Sequence, residues 1–298
     1  MAKLVAGLGT SHVPAIGAAI DHHRTGDPYW KPLFDGVQPA RDWLDRVRPD
    51  VVIVVYNDHA SRFGLDMTPT FAIGVGDKFE PHDEGYGPRP IPACDGAPEL
   101  AWHLVESLVL KDEFDVTIVS DMTVDHGLTV PLSLAFGRPQ AWPCRVIPLC
   151  VNVIQYPQPT ARRCFRLGQA IRRAIDSFEP DLKIAIFGTG GMSHQLQGER
   201  AGLINRDYDQ MWLDRMTTDP AALTEIDHTE LLREAGSEGL EIIMWLIMRG
   251  AMDPSVREVH RFYHVPASNT AYGLLALENT AQDRVTVFEG SEAFREVV

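Results

Sequence analysis

The sequence predicts an α/β protein: a single domain, residues 1–298, around a mostly parallel or mixed central sheet with helices on both faces. The stretch 51–60, VVIVVYNDHA, begins with five consecutive β-branched apolar residues, as expected of a strand buried on both faces. Further short apolar runs alternate along the chain with stretches of helical periodicity, a pattern that favours parallel strands joined by helices. No internal repeat or linker divides the chain.

The predicted strands are short apolar runs that end at polar or glycine-rich residues; they cover residues 3–8, 51–56, 70–75, 115–120, 145–153, 182–187 and 260–265. The predicted helices cover residues 39–47, 99–110, 160–178, 205–216 and 238–249. Pro39 suits the first turn of the first helix, while Ser237 and Gly250 suit the N-cap and the end of the last. We expect loops at residues 21–35 and along the proline-rich run 77–98.

Composition excludes several classes of partner. The formal net charge of −14 argues against a nucleic-acid backbone as ligand, because such binders need a basic stripe. No apolar run is long enough to cross a membrane and no secretory leader is recognisable, so we expect a cytoplasmic chain without a membrane partner. The four cysteines form no CxxC pair, and we expect reduced thiols that lie mostly in the core.

Four histidines share one context, because His12, His59, His126 and His194 each follow a predicted strand. The carboxyl ends of parallel strands lie at one edge of a sheet, where α/β proteins bind ligands. One histidine in such a position is commonly a solvated loop residue. Four together predict a metal or catalytic centre.

A carboxylate for this centre would come from Glu238 or Glu241, one turn apart at the start of the last predicted helix. Two imidazoles and one carboxylate, without a thiolate, form the facial triad of non-haem Fe(II) enzymes that activate oxygen. Zinc also binds two histidines and one glutamate. Residue types therefore leave the metal, the two histidines and the glutamate open. A remaining histidine could act as an acid or base near neutral pH.

Long motifs from about residue 5 to about residue 277 resemble the β subunits of protocatechuate 4,5-dioxygenases, a family of class III extradiol ring-cleaving dioxygenases. In chain order they include GTSHVPAIGAAI, VYNDHA, DEGYGPRP, DHGLTVPLS, FGTGGMSHQLQG, GSEGLEIIMWLIMRGA and FYHVPASNTA. The segment 21–25 and the tail after Ala281 are less similar, and the resemblance gives them no role.

This resemblance implies a metal centre. His12 and His59 would be the imidazole ligands of Fe(II), and Glu241 would be the carboxylate ligand. Glu238 would only favour the start of its helix through the helix dipole.

The resemblance also implies roles in the substrate pocket. His194 would be the catalytic base, and His126 a second pocket histidine that orients the substrate or oxygen. Ser268 and Asn269 would hydrogen-bond the carboxylate of the substrate.

The implied activity is extradiol cleavage of protocatechuate by O2, which yields 4-carboxy-2-hydroxymuconate 6-semialdehyde in the degradation of aromatic compounds. Gallate or another substituted catechol is the alternative substrate, because related pockets are too similar for one sequence to decide. A zinc-dependent hydrolase and a non-catalytic binding protein are alternatives of other classes, since a fold does not fix a function.

The resemblance implies a partner as well. Relatives of this type pair with a small helical α subunit or carry an equivalent domain at the C-terminus. Only about twenty residues follow Leu277, too few for an independent helical domain. We therefore expect a separate small α subunit that closes the pocket, in an α2β2-type hetero-oligomer.

Overall fold

Among residues 1–280, a mixed sheet of eight strands runs through the centre of the fold. The structure, a computed structural model, describes residues 1–280. Its strands are β1 (Lys3–Thr10), β2 (Val51–Tyr56), β3 (Phe71–Gly74), β4 (Lys78–Phe79), β5 (Cys94–Asp95), β6 (Thr117–Val119), β7 (Arg145–Val151), β8 (Lys183–Thr189), β9 (Val256–Ala267) and β10 (Thr270–Asn279). The sheet has the order β6-β3-β7-β2-β8-β1-β10-β9, and β4 pairs with β5 in a second, two-stranded sheet.

Helices cover both faces of this sheet. They are α1 (Pro14–Asp21), α2 (Lys31–Val47), α3 (Pro98–Leu110), α4 (His126–Phe136), α5 (Ala161–Asp176), α6 (Arg206–Thr218), α7 (Pro220–Leu223), α8 (His228–Glu234) and α9 (Ile243–Ala251). A short 3-10 helix, Gly239–Ile242, leads directly into α9.

The strand directions decide where loops can meet. β7, β2, β8 and β1 are adjacent and parallel, so their carboxyl ends share one edge of the sheet. β10 is antiparallel to β1, and β9 to β10. β3 and β6 are parallel to each other but run against β7. The sheet is therefore mixed, as predicted.

Strand β2 shows why the central strands are continuously apolar. Val51, Ile53 and Val55 belong to a core with α3, α5 and α9, whereas Val52 and Val54 belong to a core with α1, α2 and α4. Side chains alternate between the two faces of a strand. Since helices cover both faces, every position of β2 is buried.

Two of the predicted helices, 39–47 and 238–249, were wrong or incomplete. The predicted helix 39–47 is only the second part of α2, which begins at Lys31 and contains Pro39 inside it. Its buried stripe, which includes Leu33 and Val37, extends through the region predicted as loop. The free energy gained by packing this stripe outweighs the cost of the backbone hydrogen bond lost at Pro39. The sequence also gave no prediction of α1 or α4. Because α4 is buried almost all round, it lacks the amphipathic period that marks a helix.

The predicted helix 238–249 is also built differently. Ser237 is not its N-cap, since Ser237 Oγ donates instead to Glu238 Oε2 (2.6 Å). Gly250 lies inside α9 and does not end it. A Cβ on Gly250 would come within 2.2 Å of the carbonyl oxygen of Phe165 in α5. Glycine is therefore needed there for close packing of two helices, not for a C-cap.

The predicted strand 260–265 lies within the longer β9, which forms a hairpin with β10 through a turn at Ser268 and Asn269. All four cysteines are free and buried, as expected, and burial raises the pKa of each thiol. Among residues 1–280, no helix combines the length and the apolar character that a bilayer span requires.

Candidate active site

Three of the four predicted histidines converge for the expected reason. His12, His59 and His194 lie shortly after β1, β2 and β8, which are neighbours in the sheet and end at the same edge. The rings of His12 and His59 have centroids 5.2 Å apart.

His126 joins them by another route, so one part of the prediction was wrong. It does not follow a buried strand at the shared edge, because β6 is a partly exposed edge strand that runs the opposite way. The chain returns along residues 120–125, and His126 is the first residue of α4. Its ring centroid nevertheless lies 3.9 Å from that of His59 and 5.7 Å from that of His12.

Glu241 lies between the first two imidazoles. Its Oε2 is 3.2 Å from His12 Nε2, and its Oε1 is 3.9 Å from His59 Nε2. The contact with His12 is short but lacks hydrogen-bond geometry, so the buried His12 Nε2 has no hydrogen-bond partner within residues 1–280. Buried polar atoms normally have partners. A cation between these three groups would satisfy the nitrogen, and the donor set therefore fits a divalent metal.

The geometry admits a further ligand candidate, because His12, His59 and His126 each offer a ring nitrogen within 4.8 Å of the others. His126 differs from the other two in that its Nδ1 is 2.5 Å from Glu84 Oε2.

Thr189 at the end of β8 fixes the tautomer of His12. Its hydroxyl donates to the carbonyl oxygen of Gly127 (3.3 Å), so the hydroxyl oxygen is free to accept from His12 Nδ1 (3.0 Å). The lone pair of Nε2 then faces Glu241. Outer-shell hydrogen bonds of this kind orient metal-binding imidazoles. Burial lowers the pKa of His12, and the opposing attraction of Glu241 is weaker.

Asp125 supports His59 in a similar way. Burial opposes charge on both groups, but their mutual attraction outweighs it, so the pKa of His59 rises to about 10 and that of Asp125 falls. Asn57 Nδ2 lies 3.0 Å from His59 Nε2 and 3.4 Å from Glu241 Oε1. The amide group of Asn57 thus lies between the His59 imidazole and the Glu241 carboxylate, within hydrogen-bond distance of both.

The backbone that follows β8 holds Glu241. Gly191 N donates to Glu241 Oε2 at 2.7 Å. Burial opposes charge on Glu241, but attraction to His12 outweighs it and its pKa lies well below the usual range. Gly190 has a φ of +123°, and a Cβ there would lie 2.7 Å from Glu241 Cβ. Glycine is required at this position both by conformation and by space.

Glu238 points elsewhere, although it also lines the cavity. Its Oε2 accepts from Leu196 N (3.0 Å) and from Ser237 Oγ. It thus fastens the segment that follows His194.

One ring nitrogen of His194 is committed to the backbone. Its Nδ1 donates to the carbonyl oxygen of Met192 at 2.7 Å, which leaves the Nε2 lone pair free. The preceding residue, Ser193, donates to the fully buried Asp209 through both N (2.8 Å) and Oγ (2.6 Å). Tyr263 OH donates to the same carboxylate at 2.7 Å. This network fastens the loop that carries His194 to α6 and β9.

These groups surround a cavity of about 350 Å³, a volume within the range of small-molecule sites, about 300–1,000 Å³. All seven predicted site residues line it: His12, His59, His126, His194, Glu241, Ser268 and Asn269. Val13, Pro14, Ile154 and Leu196 give it an apolar side. None of the described residues that line it is a lysine or arginine.

Four supporting residues had no predicted role: Asn57, Glu84, Asp125 and Thr189. Asn57 and Asp125 lie two residues and one residue before predicted histidines in the motifs NDH and DH, so closeness in sequence was a usable signal. Glu84 and Thr189 reach their histidines across the fold, and no spacing in the sequence reveals such contacts.

The sequence is similar to those of known dioxygenases. The family model described as the catalytic LigB subunit of aromatic ring-opening dioxygenase matches residues 6–273. Gallate dioxygenase of Pseudomonas putida is 46% identical over 200 residues, which are 67% of this chain and 58% of that protein. A 2,3-dihydroxyphenylpropionate/2,3-dihydroxicinnamic acid 1,2-dioxygenase of Photorhabdus laumondii is 31% identical over 186 residues, 62% of this chain and 54% of that one.

The matches thus span little more than half the length of these two relatives. A crystal structure of an uncharacterized protein from Escherichia coli K12 has a TM-score of 0.55 and 16% identity, and the match covers 93% of this chain and all of that one. At this level of identity, the likeness shows a similar fold and nothing further.

Proposed function

The chain belongs to the LigB family, catalytic subunits of aromatic ring-opening dioxygenases, and on this basis we propose that it opens the ring of a carboxylated catechol with O2 by extradiol cleavage. One observation carries the proposal: the carboxylate of Glu241 lies beside both imidazoles, with Oε2 3.2 Å from His12 Nε2 and Oε1 3.9 Å from His59 Nε2. This is the ligand set of non-haem Fe(II) enzymes that activate O2, so we propose Fe(II) as the metal. Zinc fits the same ligands but cannot exchange electrons with O2.

Gallate is the proposed substrate ahead of protocatechuate. The P. putida relative is by name a gallate dioxygenase, and its identity of 46% over 200 residues supports the alternative substrate more than the protocatechuate expected from the sequence. Both molecules pair adjacent hydroxyl groups with a carboxylate on the same ring. One pocket can therefore accept both, with gallate preferred.

The residues of the cavity suggest how such a molecule is held. Ser268 and Asn269 would donate hydrogen bonds to its carboxylate, because the described lining offers no lysine or arginine for an ion pair. The aromatic ring would pack against the apolar side of the cavity, which includes Val13 and Ile154. The hydroxyl groups would then face the two imidazoles and Glu241.

Proton transfer is assigned to His194. Bound Fe(II) would supply the redox path by which electron density passes from the aromatic ring to O2. His194 would accept a phenolic proton at Nε2, because its Nδ1 is committed to the carbonyl oxygen of Met192. His126 would orient the substrate or O2 from above His59, since the two rings lie 3.9 Å apart.

Oxygen uptake tests this function. The chain, supplied with Fe(II) and ascorbate, should consume O2 with gallate, more slowly with protocatechuate, and poorly with catechol, which lacks the carboxylate. Equal uptake with catechol would remove the role given to Ser268 and Asn269. Activity with zinc and no O2 consumption would favour a hydrolase, and tight gallate binding without turnover would favour a binding protein.

We also propose that a small helical α subunit closes the pocket. The support is an exposed apolar rim: Leu65, Ile154, Tyr156 and Leu196 are each more than half exposed, and two of them line the cavity. Exposed apolar patches commonly mark interaction sites. The tail after Ala281 lies outside the described residues.

The partner is tested by co-expression. Oxygen uptake and light-scattering mass should both rise when the small subunit is added, because exclusion of water strengthens charge interactions in the site. A monodisperse and fully active preparation of this chain alone would contradict the proposal.

A further inference from the structure

Glu84 makes a two-point contact with His126 that the proposed function does not use. Its Oε1 accepts from the backbone N of His126 at 2.8 Å, and its Oε2 lies 2.5 Å from Nδ1 of the same residue. The Glu84 side chain is 29% exposed, while that of His126 is 11% exposed. A carboxylate only accepts hydrogen bonds, so Nδ1 carries a proton and Nε2 is left for the cavity.

The position of this imidazole matters because of what it touches. His126 lies against His59 with an interplanar angle of 30° and edge-on to His12 at 88°. Rotation about its side chain would therefore disturb two proposed metal ligands as well as the cavity wall.

The loop that carries Glu84 is fastened on both sides. Before Glu84, the loop pairs with Val124, which lies two residues before His126. His82 N donates to the carbonyl oxygen of Val124 (2.9 Å), and Val124 N donates to the carbonyl oxygen of Glu80 (2.9 Å). After it, Arg89 makes a bidentate contact with Asp21 of α1 at 2.8 and 2.9 Å.

Closer to Glu84, Asp83 Oδ1 accepts from the backbone N of both Gly85 (2.9 Å) and Gly87 (2.8 Å). The proline-rich run 77–98 thus has a defined shape around Glu84, which limits the entropy lost when the carboxylate contacts His126.

A second cation site does not explain this arrangement. Glu84, Asp125 and His126 offer three ligand atoms within 4.8 Å. Both oxygens of Glu84 accept from His126, however, and those of Asp125 accept from Gly127 and His59.

We propose that Glu84 is a positioning residue, which holds the imidazole of His126 in the orientation and tautomer that ring cleavage requires. The inference rests on the proposed function for its kinetic consequence, but the contact itself can be tested without turnover. Removal of an outer-shell partner of a metal-binding imidazole costs about 10- to 100-fold in affinity or activity. Because His126 packs against both proposed ligand imidazoles, we expect a loss of kcat of this order in Glu84→Ala.

A double-mutant cycle tests whether Glu84 acts through His126. Glu84→Gln, which keeps one acceptor oxygen, should recover part of the activity lost in Glu84→Ala. The double variant Glu84→Ala/His126→Ala should match His126→Ala within about twofold, because the two changes remove one interaction. Glu80→Gln, the same chemical change at an exposed position of the same loop, is the matched control.

NMR spectra of protein labelled with 15N-histidine test the contact between Glu84 and His126 without measuring activity. In two-bond 1H–15N spectra of the metal-free chain, His126 should show the Nδ1–H tautomer, and this signal should change in Glu84→Ala but not in Glu80→Gln. Unchanged spectra in Glu84→Ala, or a double variant whose loss equals the product of the two single losses, would overturn the inference. If the wild type consumes no O2 with any catechol, the proposed function fails, while the spectra still decide whether Glu84 positions His126.

Discussion

Asp125 Oδ2 holds His59 at two points: it accepts from the backbone N at 2.7 Å and lies 3.1 Å from Nδ1. The same carboxylate caps α4, because its Oδ1 accepts from Gly127 N at 2.9 Å. One buried side chain therefore ties the loop after β2 to the helix that carries His126. The orientation of His59 depends on this link.

Asp125→Asn should weaken metal binding. The amide cannot accept at both former oxygens, so His59 loses part of the restraint that directs Nε2 at Glu241. Changes at outer-shell partners typically cost about 10- to 100-fold in affinity. Fe(II) titration of the purified variants measures this, with the exposed Asp121→Asn as control. Equal affinity of the Asp125 variant and wild type would contradict the proposed orientation of His59.

Glu241→Gln should weaken metal binding more than the Asp125 change, whereas Glu238→Gln should leave it intact. Of these two glutamates, Glu241 approaches His12 and His59, while Glu238 accepts hydrogen bonds from Leu196 and Ser237. Metal analysis of both variants is the measurement. If both variants lose similar amounts of metal, or if only the Glu238 variant loses metal, the assignment of Glu241 as the carboxylate ligand is wrong.

His194→Gln should keep both metal and substrate binding yet turn over far more slowly. The Nε2 of His194 is proposed as the proton acceptor, and general bases contribute about a hundred- to ten-thousand-fold. Steady-state oxygen uptake and metal content of the same preparation test this. A variant that emerges without metal would make His194 a ligand.

Gly190→Ala should displace Glu241. The added Cβ would lie 2.7 Å from Glu241 Cβ and 2.9 Å from its carbonyl oxygen, in a conformation that side chains rarely adopt. Gly202→Ala is the control, since Gly202 also has a positive φ (+84°) but open space around it. We expect a small stability loss in Gly202→Ala, about 1–2 kcal/mol, and a loss of both stability and metal affinity in Gly190→Ala. Unchanged metal affinity there would show that Glu241 tolerates the shift.

The buried carboxyl group of Asp209 should make the stability of the fold depend on pH. Burial raises the pKa of Asp209 despite hydrogen bonds from Ser193 and Tyr263. A raised pKa means that the folded state binds the proton more tightly than the unfolded chain, whose pKa is about 3.9. The stabilisation is therefore complete below that value and is lost as pH rises through the folded pKa.

We accordingly expect the stability of the wild type, relative to Asp209→Asn, to fall as pH rises from about 4. Urea denaturation of both proteins across a pH series gives the difference in unfolding free energy. A constant difference would place the pKa of Asp209 at its unfolded value.

The central β2 strand and the convergence of His12, His59 and His194 were predictable from sequence. Both follow from local pattern: a run of β-branched residues identifies a strand buried on two faces, and a polar residue after a parallel strand must lie at the ligand-binding edge. The same logic failed for His126, because the direction of the edge strand β6 is set by pairing with β3, which residues near His126 do not encode.

The sequence by itself therefore determined the α/β class, the burial of the cysteines and, through its motifs, the family. Periodicity and residue type carry this information, since they depend on which side of an element is buried. The resemblance implied Glu241, and the structure shows that Glu241 and not Glu238 faces the imidazoles. Only the tertiary structure decided that Thr189, Asp125 and Glu84 support His12, His59 and His126. These contacts join residues distant in the chain, and their geometry arises only when the sheet, the helices and the loop 77–98 pack together.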